Sequence, residues 1–262
     1  MLGQALISEL KNHQIIAPSV DKVDIVNKKV VQKEINKNKP DVIINCAALT
    51  NVDQCEDHIE EAQLVNGEAV NYVAEACEKI GALLIQISTD YVFDGEKEEG
   101  YEEEDSKNPI NVYGHSKAIA EDFVQKICTR YYIARTAWLF GESKDNFVTK
   151  MIQLAEKGRP IRVVRDQRGC PTYTKDLARA IHQLILDEKP SGIYHITNSE
   201  PCTWYEFAAE IFLQKKLEVD LQPCTSEEFP RPAARPKNSV LLSTKFPPLR
   251  SWKEALKEYL GS

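Results

Sequence analysis

Runs of apolar, β-branched residues recur along the chain at DVIINCAA (41–48), LLIQIST (83–89), YYIARTAWLF (131–140), IRVVRD (161–166) and GIYHITN (192–198). They read as strands that are apolar throughout, which predicts a parallel sheet covered on both faces. Between the first three runs, apolar residues return at helical spacing: Ala62, Val65, Ala69, Val73, Ala76 and Ile80, then Ala118, Phe123 and Ile127. Strand and amphipathic helix thus alternate. The predicted class is α/β, a doubly wound parallel sheet of the Rossmann type.

Beyond about residue 141 the pattern loosens into short strands, helices over 145–157, 174–187 and 203–215, and a proline-rich stretch over 223–239 that predicts a covering loop. This divides the chain into a dinucleotide-binding domain over 1–141 and a smaller lobe over 142–262 that binds substrate and returns some segments to the main sheet. A cleft between the two is the expected ligand site. The chain opens on a predicted helix, Leu2 to Asn12, followed by a short strand at IIAPS (15–19), with no strand before it. In dinucleotide folds a strand and glycine-rich turn precede the first helix and deliver the pyrophosphate to its N-terminus. Gly3 stands where the last glycine of that turn would be, so two expectations stay open: a first strand and most of the phosphate loop lie upstream of Met1, or the chain begins with the helix and never had the motif.

Composition narrows the partners. In 262 residues the formal charge is −7, a field that repels nucleic acid and anionic membranes. No apolar run is long enough to span a bilayer and the start lacks signal-peptide features, which predicts a cytoplasmic protein. The seven cysteines are scattered and never fall as Cys-x-x-Cys, which predicts reduced, structural thiols. His13, His58, His115, His182 and His195 show no metal-ligand spacing, and the acidic run 95–105 reads as a solvated loop.

Tyr113 and Lys117, in YGHSKAIAED, stand at i and i+4 and share one helix face. An ammonium near a phenol lowers its pKa and suits it to give a proton to a carbonyl oxygen. The pair alone is weak, and its context strengthens it. Strand 83–89 ends in Ser88 and Thr89, hydroxyls at the carboxyl edge of a parallel sheet, where ligands of such folds bind. The strand before it ends in Cys46, Ala47 and Ala48, small enough to let a flat cofactor approach the backbone.

Taken in order, CAALTNVDQCE, ISTDYVFDG, NVYGHSKAIAE, RTAWLFG, DQRGCPTYTKDLA, GIYHITN and RPKNSVL resemble the extended short-chain dehydrogenase/reductases over essentially the whole chain. The resemblance implies an NADPH- or NADH-dependent oxidoreductase acting on a nucleotide sugar. The nearest members reduce C4 of dTDP-4-dehydro-6-deoxy-L-mannose, giving dTDP-L-rhamnose for cell-surface polysaccharide. Other nucleotide-linked 4-ketosugars, or a non-catalytic regulatory subunit of the same fold, stay open as alternatives. By the resemblance Thr89 orients the keto group, Tyr113 donates the proton, and Lys117 holds the nicotinamide ribose. Leu2, Gly3, Asp24, Ile25, Cys46, Ala47 and Ala48 would line the cofactor. Thr50, Val52, Asp90, Tyr91 and Trp138 would meet the substrate, Trp138 with a flat apolar face. Gln167, Gly169, Pro171, Thr172 and Arg235 would close the pocket, Arg235 as a basic partner for the diphosphate. Ala120 and Leu49 depart from the family's usual glycine and tyrosine. Part of the family carries Mg2+ at a homodimer interface; no ligands for it are assigned here.

Overall fold

The structure, a computed structural model, describes residues 1–142 and 146–261. In chain order its elements are α1 (Leu2–Glu9), α2 (Lys28–Asn38), β1 (Val42–Asn45), α3 (Val52–Asp57), α4 (Ile59–Gln63), α5 (Ala69–Ile80), β2 (Leu83–Thr89), α6 (Val112–Ile127), β3 (Tyr131–Thr136) and β4 (Leu139–Phe140). There follow α7 (Phe147–Ala155), β5 (Ile161–Val164), β6 (Arg168–Gly169), β7 (Thr172–Tyr173), α8 (Thr174–Leu186), β8 (Gly192–His195), β9 (Cys202–Thr203), α9 (Trp204–Lys215), β10 (Leu221–Cys224) and α10 (Trp252–Leu260).

The central sheet is parallel, in the order β1-β2-β3-β8. Successive strand residues point to opposite faces, and both faces are covered. Leu84 and Ile133 pack with Val73 and Ala74 of α5 and Ala120 and Val124 of α6. Leu83, Ile85, Tyr132 and Ala134 pack on the other face with Leu2 and Leu6 of α1 and Leu177, Ile181 and Leu184 of α8. A separate core, built from Phe140, Val148, Met151, Ile161, Tyr173, Phe207, Ile211, Trp252 and Leu256, supports the second lobe. There β5 pairs with β10 rather than with the central sheet.

Local differences from the sequence reading have physical causes. Residues 14–19 form no strand, and Ile15 and Ile16 are 38% and 50% exposed, because no neighbouring strand supplies ladder partners. The run 131–140 breaks into β3 and β4 at Trp138, which takes a left-handed φ of 46°, incompatible with a strand. The acidic run is not wholly solvated. Glu103 is 1% exposed and accepts the His195 and Thr244 N–H groups and the Thr244 hydroxyl. All seven cysteines are free, and only Cys46 is exposed. Among the described residues no helix is long and apolar enough to cross a membrane.

Candidate active site

Thr89 ends β2 at the carboxyl edge of the sheet. Its hydroxyl accepts the Tyr91 N–H at 3.2 Å and donates to Asp90 Oδ1 at 2.9 Å. Asp90 is 2% exposed, and its other oxygen accepts the Ser239 hydroxyl at 2.5 Å. Burial pushes the Asp90 carboxyl up to about 6, against the opposing hydrogen bonds from Ser239 and Thr89.

Helix α6 brings Tyr113 to this edge. Asn111 caps it by accepting the Gly114 N–H at 2.7 Å. Gly114 permits the approach, since a Cβ there would stand 2.0 Å from the Tyr91 carbonyl oxygen. The Tyr113 phenol pairs with Thr89, and its ring meets Tyr91 edge to face at 6.0 Å. The expected lowering of its pKa is not found. Burial raises the phenol and the Asp90 carboxylate raises it further, only Thr89 opposing them. That environment keeps Tyr113 protonated, the form that can give a proton.

One turn on, Lys117 is 3% exposed, and none of the hydrogen bonds or ion pairs among the described residues engages its ammonium. Burial lowers it to about 8, with Glu121 opposing. Glu121 lies one further turn along, clasped by Arg135 through Nε at 2.9 Å and Nη2 at 2.7 Å. Ser88 donates to the same carboxylate at 2.5 Å. Burial would raise Glu121, but Arg135 and Ser88 outweigh it and hold the carboxyl below its usual range.

Part of the expected cofactor set lies near this lysine. After β1, Asn45 Oδ1 accepts the Ala47 N–H at 3.1 Å, turning Cys46 and Ala47 outward to solvent and leaving Ala48 half-buried. Both Lys117 and the chain's amino terminus act on the Cys46 thiol, so β1's end, α1's start and Lys117 face one space. No side chain caps α1, and a Cβ on Gly3 would meet nothing within 4 Å. A helix N-terminus with free N–H groups, a floor of small residues and an unpartnered buried ammonium fit a dinucleotide, the lysine reaching its ribose hydroxyls. Leu2 contributes backbone only, because its side chain is in the core. Asp24 and Ile25 precede α2; Asp24 is exposed and accepts the Val26 N–H, and Ile25 packs on the α2–α5 core.

On the substrate side Thr50 is exposed, Val52 opens α3, and Tyr91 is half-buried. Trp138 stacks on Trp204 with centroids 3.6 Å apart and planes 8° apart. A Cβ on Gly169 would lie 2.5, 2.7 and 2.8 Å from Cε2, Cζ2 and Nε1 of the same indole, distances that place it over the ring. Since Trp204 fills one face, Gly169 lies on the other. The flat free face expected of Trp138 is therefore taken, and the half-buried indole offers its edge. Thr172 is fully buried, its hydroxyl donating to the Cys170 carbonyl, so it presents no polar group to a ligand. Gln167 is 9% exposed and donates to Ser226 at 2.9 Å. Arg235 is bound to Asp53. A cavity of about 320 Å³ lies elsewhere, among Gln4, Glu142, Lys175, Arg179 and Glu258.

Sequence reasoning missed Asp53, Ser239 and Trp204. Ser239 lies inside the quoted RPKNSVL and Asp53 two residues after the α3 cap Asn51. No spacing signal marks Trp204.

A parallel sheet wound on both faces, with threonine, tyrosine and lysine converging at its carboxyl edge and a smaller lobe beyond, is the architecture of the extended short-chain dehydrogenase/reductases. The chain belongs to the RmlD substrate binding domain family, whose model matches residues 1–262. It is 46% identical to a dTDP-4-dehydrorhamnose reductase from Clostridium acetobutylicum, whose solved structure superposes with a TM-score of 0.96 over 99% of this chain and 95% of that one. The Bacillus anthracis dTDP-4-dehydrorhamnose reductase, solved in complex with NADP, is 39% identical, with a TM-score of 0.96 over 99% of this chain and 94% of that one. The Bacillus subtilis spore coat polysaccharide biosynthesis protein SpsK is 40% identical over 265 residues, 99% of this chain and 93% of that protein.

Proposed function

We propose that this protein is an NADPH-dependent reductase of the C4 keto group of dTDP-4-dehydro-6-deoxy-L-mannose. The product is dTDP-L-rhamnose, for cell-surface polysaccharide, and the setting is the cytoplasm. The observation that carries the reading is the meeting of Thr89, a protonated Tyr113 and the unpartnered, buried Lys117 at the carboxyl edge of β2, supported by the likeness to reductases of that name.

When bound, the reduced nicotinamide supplies a hydride to the sugar C4. With its proton turned from Asp90 to the ligand, the Thr89 hydroxyl holds the keto oxygen together with Tyr113, and Tyr113 gives that oxygen its proton as negative charge builds there. Thr89, the one group that lowers the phenol, steadies the phenolate left behind until solvent returns the proton, while the Lys117 ammonium a turn away holds the cofactor ribose. Arg235 and the edge of Trp138 hold the nucleotide sugar from the lobe side. Among the described residues no group of three His, Cys, Asp or Glu side chains could hold a metal ion, and no metal enters the proposal.

The test is NADPH consumption with a panel of nucleotide-linked 4-ketosugars. Tyr113→Phe should lower turnover by about 10²-fold or more while thermal unfolding stays unchanged. Undiminished turnover in that variant refutes the assigned proton donor.

A further inference from the structure

We propose that Asp53 is a positioning residue that fixes Arg235, and with it the strap 226–239, over the substrate's diphosphate. This inference rests on the reductase reading above.

Asp53 lies in the first turn of α3, its side chain 15% exposed. Both of its oxygens are spent on one segment of the other lobe. Oδ2 accepts from Arg231 Nε at 2.9 Å and from Nη2 of the same guanidinium. Oδ1 accepts from Arg235 Nη1 at 2.5 Å and from the Ala233 N–H at 3.2 Å. Burial alone would raise its pKa, yet Arg235 and Arg231 hold it at about 2, so the clasp persists across the physiological range. A single carboxylate thus gathers four N–H donors from three residues of a five-residue stretch some 180 positions away in sequence.

The clasp sits beside the reacting groups. The Arg235 guanidinium also acts on the Tyr91 hydroxyl, and the Tyr91 ring lies against Tyr113. Asn111, the cap of the helix that carries Tyr113, donates to the Ala234 carbonyl at 2.8 Å, and Ser239 closes the strap onto Asp90. Charge explains why this carboxylate suits an anionic ligand. One carboxylate between two guanidiniums leaves an excess positive charge at the mouth of the site, in a chain whose formal charge is −7. An unclasped arginine would sample many rotamers, and a diphosphate would then have to bear the cost of ordering it. Clasped by Asp53, Arg235 is 14% exposed and already in place.

The experiment compares wild type, Asp53→Asn and Asp53→Glu, all as the full chain. It reads KM and kcat for the ketosugar, and Kd for dTDP and for NADPH by titration. We expect Asp53→Asn to raise KM and the dTDP Kd about tenfold, with kcat changed less than threefold and the NADPH Kd unchanged. Asp53→Glu should recover part of the loss. A merely structural role would lower the active fraction and leave KM and both Kd values alone, which would overturn the proposal. A tighter dTDP complex would also overturn it, showing that Asp53 competes for the arginines instead of placing them. Wild type inactive on every ketosugar would sink the reductase reading itself, a result distinct from either of these.

Discussion

Asp90 offers a stability test whose sign and size follow from its surroundings. Its carboxyl is 2% exposed and lifted by burial to about 6 from 3.8. Between those values the native state keeps a proton that the unfolded chain gives up, so stability is full below pH 3.8 and falls as pH rises through 6. The shift is about 2 pKa units, or about 3 kcal/mol in all, at about 1.36 kcal/mol per unit. Within the accessible window from about pH 4.5 to pH 7.5 about 2 kcal/mol of it is lost. Asp90→Asn removes the ionisation and keeps the shape, the amide still able to pair with the Thr89 and Ser239 hydroxyls. Urea unfolding of both proteins across that window should therefore show the variant gaining about 2 kcal/mol on wild type as pH rises. A difference that stays flat with pH would refute the reasoning.

Two further outcomes test neighbouring parts of the site. Gly169→Ala drives a Cβ to 2.5 Å from the Trp138 indole, which Trp204 blocks from retreating. It should cost about 1–3 kcal/mol of stability and raise KM for the nucleotide sugar; wild-type values for both would show the indole is not sandwiched. Glu121→Gln strips Arg135, 1% exposed, of its charged partner and should cost about 3–5 kcal/mol, measured by chemical denaturation. It should also lower the pH at which Lys117 loses its proton, since Glu121 is the charge that favours its ammonium, and shift the alkaline limb of the kcat profile downward.

The parallel sheet was legible because helices cover both of its faces, so apolar residues dominate its strands. LLIQIST runs as predicted from Leu83 to Thr89, and the i, i+4 spacing of Tyr113 and Lys117 set them on one face of α6 before any coordinates. The periodic pattern also placed α5, α8 and α9 within a few residues. Such features are local: strand burial, helix spacing and caps are set by neighbours a few positions apart.

What the sequence could not determine depends on residues far apart in the chain. That residues 14–19 stay irregular follows from having no strand beside them, which β propensity cannot report. That Trp138 turns left-handed and loses its free face follows from Trp204 and Gly169 closing on either side of the indole. The protonation states are tertiary in the same way. Tyr113 is raised rather than lowered because burial and Asp90 act on it while Lys117 does not. The clasp of Asp53 on Arg231 and Arg235 joins residues some 180 positions apart. Their sequence neighbours carry no sign of it, since a salt bridge between residues so far apart is decided by which surfaces the fold brings together.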